Sequence, residues 1–326
     1  MIGVATRLGF VTVALTIACG CGGTQQGPFP RPQAGSASTP LPGDSVSRGA
    51  SRPLARSLTS QPLLYVASDY PDSVDIFPLT GPNQKQTGSI TNGIRGPWAL
   101  SVDHNNSLYV ANTANETVTV YPYGSSTASM TYSRGVHHPM YALADSAGHV
   151  FVSGVESGDH HRGHVVEFNA GSSVPIANAL LGSEVDGIAL DAQGNLYAAY
   201  RHKATNNASI AEFGSGLSNK RNLGMTIDQP QGLLVDNAGN IVVVESAADA
   251  IDVFPPGATT PSLRLVFSTA HGANLAQLAM QDSETTLWVS SEGGAVYSMP
   301  YPLTPSTVPT EYEEIAGYGN GIAVTH

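Results

Sequence analysis

The chain has 326 residues, a net charge of −11, and charged side chains at only 12% of its positions. Residues 1–60 run against that balance, with Arg7, Arg31, Arg48, Arg52 and Arg56 facing Asp44 alone, so the negative charge belongs to the remainder. An acidic body argues against a nucleic-acid binder, and 35 glycines with 22 prolines point to many short strands and turns.

The N-terminus begins with Arg7 and then an apolar run from Leu8 to Ala18. Eleven residues are too few to cross a bilayer and fit a secretory signal over residues 1–18. The stretch Leu15-Thr16-Ile17-Ala18-Cys19 resembles a bacterial lipobox, with Thr16 where that motif prefers Leu. The resemblance implies a lipid on Cys19, which would anchor the protein to a membrane of the cell envelope. Residues 19–61 are rich in Gly, Pro, Ser and Thr and cannot bury enough apolar surface to offset the entropy of ordering. They are expected to be a tether for a folded domain over residues 62–326. Cys19 and Cys21 are the two cysteines, so that domain holds no disulfide.

From residue 63 onward one unit recurs: a small residue, an apolar run, Asp, a tight turn, and a run such as Leu108-Tyr109-Val110-Ala111. The aspartates at 103, 145, 191 and 236 are 42, 46 and 45 residues apart. A period near 40–45 with several short strands per unit predicts a β-propeller. The turns Asp145-Ser146-Ala147-Gly148, Asp191-Ala192-Gln193-Gly194 and Asp236-Asn237-Ala238-Gly239 assign these aspartates to turn geometry rather than catalysis. Third strands end in Phe77, Tyr121, Phe168, Phe213 and Phe254, expected to pack between blades. Second strands begin near Leu63, Leu108, Val150, Leu196, Ile241 and Leu287, which makes six blades. The first copy lacks its first strand, and the last copy, Gly321-Ile322-Ala323-Val324, is only a first strand. The fold class is therefore all-β: a six-bladed propeller of four-stranded antiparallel blades, its ring closed by the C-terminal strand joining blade 1.

The motifs Pro97-Trp98-Ala99, Asp186-Gly187-Ile188-Ala189-Leu190-Asp191 and Gln231-Gly232, with the repeated Leu-Tyr-Val-Ala, resemble NHL-type and gluconolactonase-like six-bladed propellers. Those families use the face bearing the loops between fourth and first strands and between second and third strands. The position before each first strand forms the channel mouth there: Trp98, Met140, Asp186, Gln231 and Asn320. The gluconolactonase resemblance implies a divalent cation at this mouth, with Asp186 and Asn320 matching two ligand positions and no Glu completing the set. A fainter resemblance reaches peptide-amidating and streptogramin lyases.

The same face collects most histidines. His137 and His138 precede blade 3, His160 and His161 lie in its His-rich loop with His164 in or beside it, and His202 lies in the matching loop of blade 4. Neutral imidazoles beside a carboxylate suit zinc or a related divalent metal such as calcium, so His137, His138, His160, His161, His202 and Asp186 form the candidate metal set. Two functions follow. The leading one is a ligand- or protein-binding scaffold of the cell envelope, its partner an envelope protein or small ligand. The alternative is a metal-dependent hydrolase or lyase of lactonase-like type at the channel mouth.

Overall fold

The computed structural model describes residues 61–79, 85–156, 162–202, 207–267, 274–312 and 320–326. Cys19, His160 and His161 lie outside these. The described residues form six antiparallel sheets in a ring. From the axis outward, blade 2 is Pro97–Val102, Leu108–Asn112, Thr117–Tyr121 and Met130–Tyr132. Blade 3 is Pro139–Ala144, Val150–Val155, Gly163–Phe168 and Pro175–Leu181. Blade 4 is Glu184–Leu190, Leu196–Arg201, Asn207–Gly214 and Ser218–Asn222, with Ile227–Asp228 added beside the third strand. Blade 5 is Pro230–Val235, Ile241–Glu245, Ala250–Phe254 and Leu263–Val266. Blade 6 is Leu275–Met280, Thr286–Ser291, Val296–Pro300 and Thr310–Tyr312.

Blade 1 joins the two ends of the sequence. Ile322–Val324 pairs with Leu63–Asp69, followed outward by Asp72–Pro78 and Gly88–Ile90. The Leu63 amide donates to Thr325 Oγ1 at 2.7 Å, and the Thr325 amide donates to the Leu63 carbonyl at 2.9 Å. The expected closure is therefore present, and no inner strand edge of blade 1 is left open.

Alternation explains how one short strand serves two neighbours, because successive strand side chains point to opposite faces. Leu63, Tyr65 and Ala67 pack against Leu100, Leu108 and Tyr121 of blade 2. Leu64 and Val66 pack against Trp288, Val296 and Tyr312 of blade 6. Every junction between blades has its own apolar cluster of this kind. Tyr121, Phe168, Phe213 and Phe254 are buried in them, each at the end of a third strand.

The turns follow one geometry. Oδ1 of Asp103, Asp145, Asp191 and Asp236 accepts the amides two and four residues ahead, at 2.7–3.0 Å. These aspartates are structural, as their spacing within the turns predicts.

Candidate functional site

The site is framed by what happens on the propeller axis. One position after the five channel-mouth residues the chain carries Ala99, Tyr141, Gly187, Gly232 and Gly321, and Gln277 holds the matching position of blade 6. The small residues allow first strands to approach one another: a Cβ on Gly232 would stand 2.8 Å from the Ala276 carbonyl oxygen. Tyr141 and Gln277 sit on opposite blades and fill the space left between. The Gln277 side-chain oxygen accepts the Leu100 amide at 3.0 Å and the Ile322 amide at 2.9 Å. Its nitrogen donates to the Tyr141 hydroxyl at 2.7 Å and to the Leu100 carbonyl. One buried side chain thus ties blades 6, 1, 2 and 3 together and blocks the axis.

Beyond this block a cavity of about 370 Å³ is lined by the outgoing halves of the first strands, including Leu143, Leu190, Leu234 and Met280. It opens among the Asp turns, on the face opposite the one that the family resemblance favours. Its rim carboxylates are engaged. Asp191 and Asp236 hold their turns, Glu284 accepts the Asn237 amide at 2.8 Å, and Asp282 pairs with His326 at 2.9 Å.

On the other face the five channel-mouth residues have separate environments. Met140 is buried and Trp98 is half-buried against the junction of blades 3 and 4. Gln231 donates to Glu292 at 3.1 Å. Asn320 has a buried side-chain oxygen without a partner, while its backbone oxygen accepts the Ser290 hydroxyl at 2.7 Å. Asp186 accepts Arg201 Nε at 2.9 Å, with Glu184 3.6 Å from the same nitrogen. Burial and Glu184 push the Asp186 carboxyl up, against the pull of the Arg201 guanidinium. The arrangement is an anchored ion pair within blade 4.

The unusual chemistry lies at the junction of blades 2 and 3. Gly163–Phe168 carries His164 on the face that also carries Val166, toward blade 2. His164 is 1% exposed, and neither of its ring nitrogens has a hydrogen-bond partner. The His137 ring meets it edge-on, with centroids 6.2 Å apart. His137 Nδ1 is 3.7 Å from Glu116 Oε2, and His138 Nε2 is 3.8 Å from Glu116 Oε1. Glu116 comes from the blade 2 loop between its second and third strands. Burial pushes the His164 imidazole down to about 4, and His137 adds to that shift, while Glu156 and the Arg162 backbone beside the ring oppose it. His164 is therefore neutral at pH 7.

Local packing fixes this patch. The Val155 amide donates to the His137 carbonyl at 3.2 Å, and a Cβ on Gly154 would fall 2.3 Å from that carbonyl oxygen. Only glycine lets the His137-His138 segment lie so close to the second strand. At the loop base, the Glu156 amide donates to the Arg162 carbonyl at 2.8 Å, and Arg162 Nε is 3.3 Å from Glu156 Oε2.

Of the candidate metal set, the structure brings His137 and His138 together around Glu116. His202 is held within blade 4, 2.9 Å from Ser209 Oγ and edge-on to Tyr200, and Asp186 is held by Arg201. Among the described residues no three His, Cys, Asp or Glu converge to ligate a metal, and His160 and His161 of the set lie outside those residues. His164 was not in the set because it reads as part of the His-rich loop. Its signal is the alternation His164, Val166, Phe168, which puts the imidazole on a buried strand face.

No protein-family model matches the sequence, and no curated protein matches it. Solved structures do. A chain of a nidogen/laminin complex is similar over 81% of this chain and 98% of its own, at 15% identity and a TM-score of 0.60. Hydrazine synthase of Kuenenia stuttgartiensis is similar over 73% of each chain, at 16% identity and a TM-score of 0.54. A catalytically inactive virginiamycin B lyase from Staphylococcus aureus, crystallised with quinupristin, covers 81% of this chain and 87% of its own at 12% identity and a TM-score of 0.49. At 15–16% identity the likeness is one of fold.

Proposed function

We propose that the protein is an NHL-like binding propeller of the bacterial cell envelope. In this reading residues 1–18 export it, lipid on Cys19 holds it to a membrane, and residues 19–61 carry the propeller away from the surface. Its binding face is the junction of blades 2 and 3, on the side of the loops that join second to third strands. The observation that carries the reading is His164. A buried imidazole with no partner costs roughly 1–3 kcal/mol, and such groups in a folded protein call for an explanation. Here it stands behind half-exposed His137 and Glu116 and beside exposed Arg162. His137, Glu116 and Arg162 present acceptors and donors to a polar ligand or protein loop seated over them, with His164 behind. The blocked axis supports a surface rather than a through-channel as the place of recognition. A propeller-like chain in a complex of two proteins is compatible with such a role.

The test is site-specific photo-crosslinking in cells, followed by fractionation. A crosslinker at His137 is expected to capture a discrete partner in the membrane fraction, and one at Gln193 on the opposite face is not. Cys19→Ser should release the protein from that fraction. Equal capture from both faces would sink the binding-face assignment, and retention of Cys19→Ser in the membrane would sink the anchor.

A further inference from the structure

Five of the six outer strands carry the devices that keep a sheet edge from pairing with another chain. Gly88–Ile90, Met130–Tyr132 and Thr310–Tyr312 have three residues each. Ser218–Asn222 carries Lys220 and Arg221, and Leu263–Val266 carries Arg264. The outer strand of blade 3 is neither short nor charged, and its Pro175 and the slip at Ile176 are confined to one end. Pro175–Leu181 is seven residues long, and no charged residue occurs from Gly171 to Gly182. Its exposed face is uncharged, with Asn178 at the centre and Val174 50%, Ile176 51% and Leu180 41% exposed around it.

The sequence of this edge reads nearly the same in both directions about Asn178: Ile176-Ala177-Asn178-Ala179-Leu180. Antiparallel pairing of two identical strands about a two-fold axis places residue i opposite a residue equally far on the other side of the centre. Asn178 would then face Asn178, Ala177 would face Ala179, and Ile176 would face Leu180 of the second copy. Each pair matches in size and polarity. The ladder to the neighbouring strand slips at Ile176, which ends the regular edge where the palindrome ends. The uncharged strand also brings no like charges together when it meets itself.

We propose that this edge is an isologous interface, and that its occupant is the same strand of a second copy of this chain, joining two blades 3 into one eight-stranded sheet. A five-residue edge buries well under the ~800 Å² per partner of a standard interface, so the dimer is weak, with a dissociation constant on the order of 10–100 µM. Tethering to a membrane raises the local concentration and favours it.

Sedimentation velocity of the purified full chain over about 1–300 µM tests this. The expected result is a monomer that shifts toward a dimer as concentration rises. Asn178→Lys sets two like charges against one another at the centre and is expected to abolish the shift. Val308→Lys adds the same charge at an exposed site on blade 6 and is expected to leave it unchanged. The register is tested by mixing: Leu180→Lys and Ile176→Glu should each be monomeric alone and associate when combined, because residue 176 of one copy faces residue 180 of the other. All these positions are exposed, so circular dichroism should be unaltered. A monomer at every concentration overturns the proposal, and so does a dimer that survives Asn178→Lys or fails to respond to the mixed pair.

Discussion

His164 is a buried imidazole whose ring nitrogens have no hydrogen-bond partner. Its imidazole is pushed from an ordinary 6.5 down to about 4 by burial and by His137. A group that binds its proton differently in the folded and unfolded chain makes stability depend on pH. Between pH 6.5 and 4 the unfolded chain binds a proton at this residue that the folded chain refuses, so the fold loses stability as pH falls through that window. Carboxylates with raised values, such as Asp75 and Asp252, both pushed up to about 6 by burial, act in the opposite direction. The contribution of His164 is therefore read as a difference. His164→Phe should flatten the fall in melting temperature between pH 6.5 and 4 relative to the parent, and leave the difference constant above pH 7. Parallel curves for the two proteins across that window would show that His164 titrates normally.

At the scale of the element, the turn between first and second strands is the most repeated device in the molecule. Asp191 Oδ1 accepts the Gln193 and Asn195 amides, while Oδ2 accepts the Asn195 side chain at 2.8 Å and the Tyr197 hydroxyl at 3.2 Å. The same carboxylate lies on the rim of the cavity below the axial block. Asp191→Ala strands two turn amides and frees Tyr197, which should cost about 2 kcal/mol in urea denaturation. A cost below about 0.5 kcal/mol, in the range of ordinary surface changes, would mean that the turn holds itself by backbone alone. Blade 3 shows the other side of element design. Its outer strand is long, uncharged and apolar where other blades are short or charged, and local sequence makes that edge distinctive before any packing is considered.

For the whole molecule the decisive contact is Gln277. Its four hydrogen bonds reach three other blades, and its bond to Tyr141 crosses 136 positions of sequence. Gln277→Leu keeps much of the volume but leaves the Leu100 and Ile322 amides without that acceptor on the axis. The expected loss is about 3 kcal/mol, seen as a lower urea midpoint with an unchanged far-ultraviolet spectrum. If the midpoint does not move, the ring is held by the six apolar junctions and the axial block is incidental.

The architecture was readable along the chain. Blade count, strand order, the turn aspartates and the joining of Ile322–Val324 to Leu63–Asp69 were all legible, because each is local to one repeat or is set by the period. Even the axial block left a trace, since Tyr141 and Gln277 interrupt a column otherwise made of Ala99, Gly187, Gly232 and Gly321. The candidate site was legible only in part. His137 and His138 stood out as an adjacent pair beside a His-rich loop, but His164 reads as a loop residue because its burial depends on where the strand begins, and both faces of Gly163–Phe168 are buried. Tertiary structure alone decided that Glu116 of blade 2 meets the histidines of blade 3, that Arg201 occupies Asp186, and that the axis is closed. Each of these depends on how neighbouring blades are rotated and spaced, and that is fixed by side chains packing between sheets rather than by the pattern within any one of them.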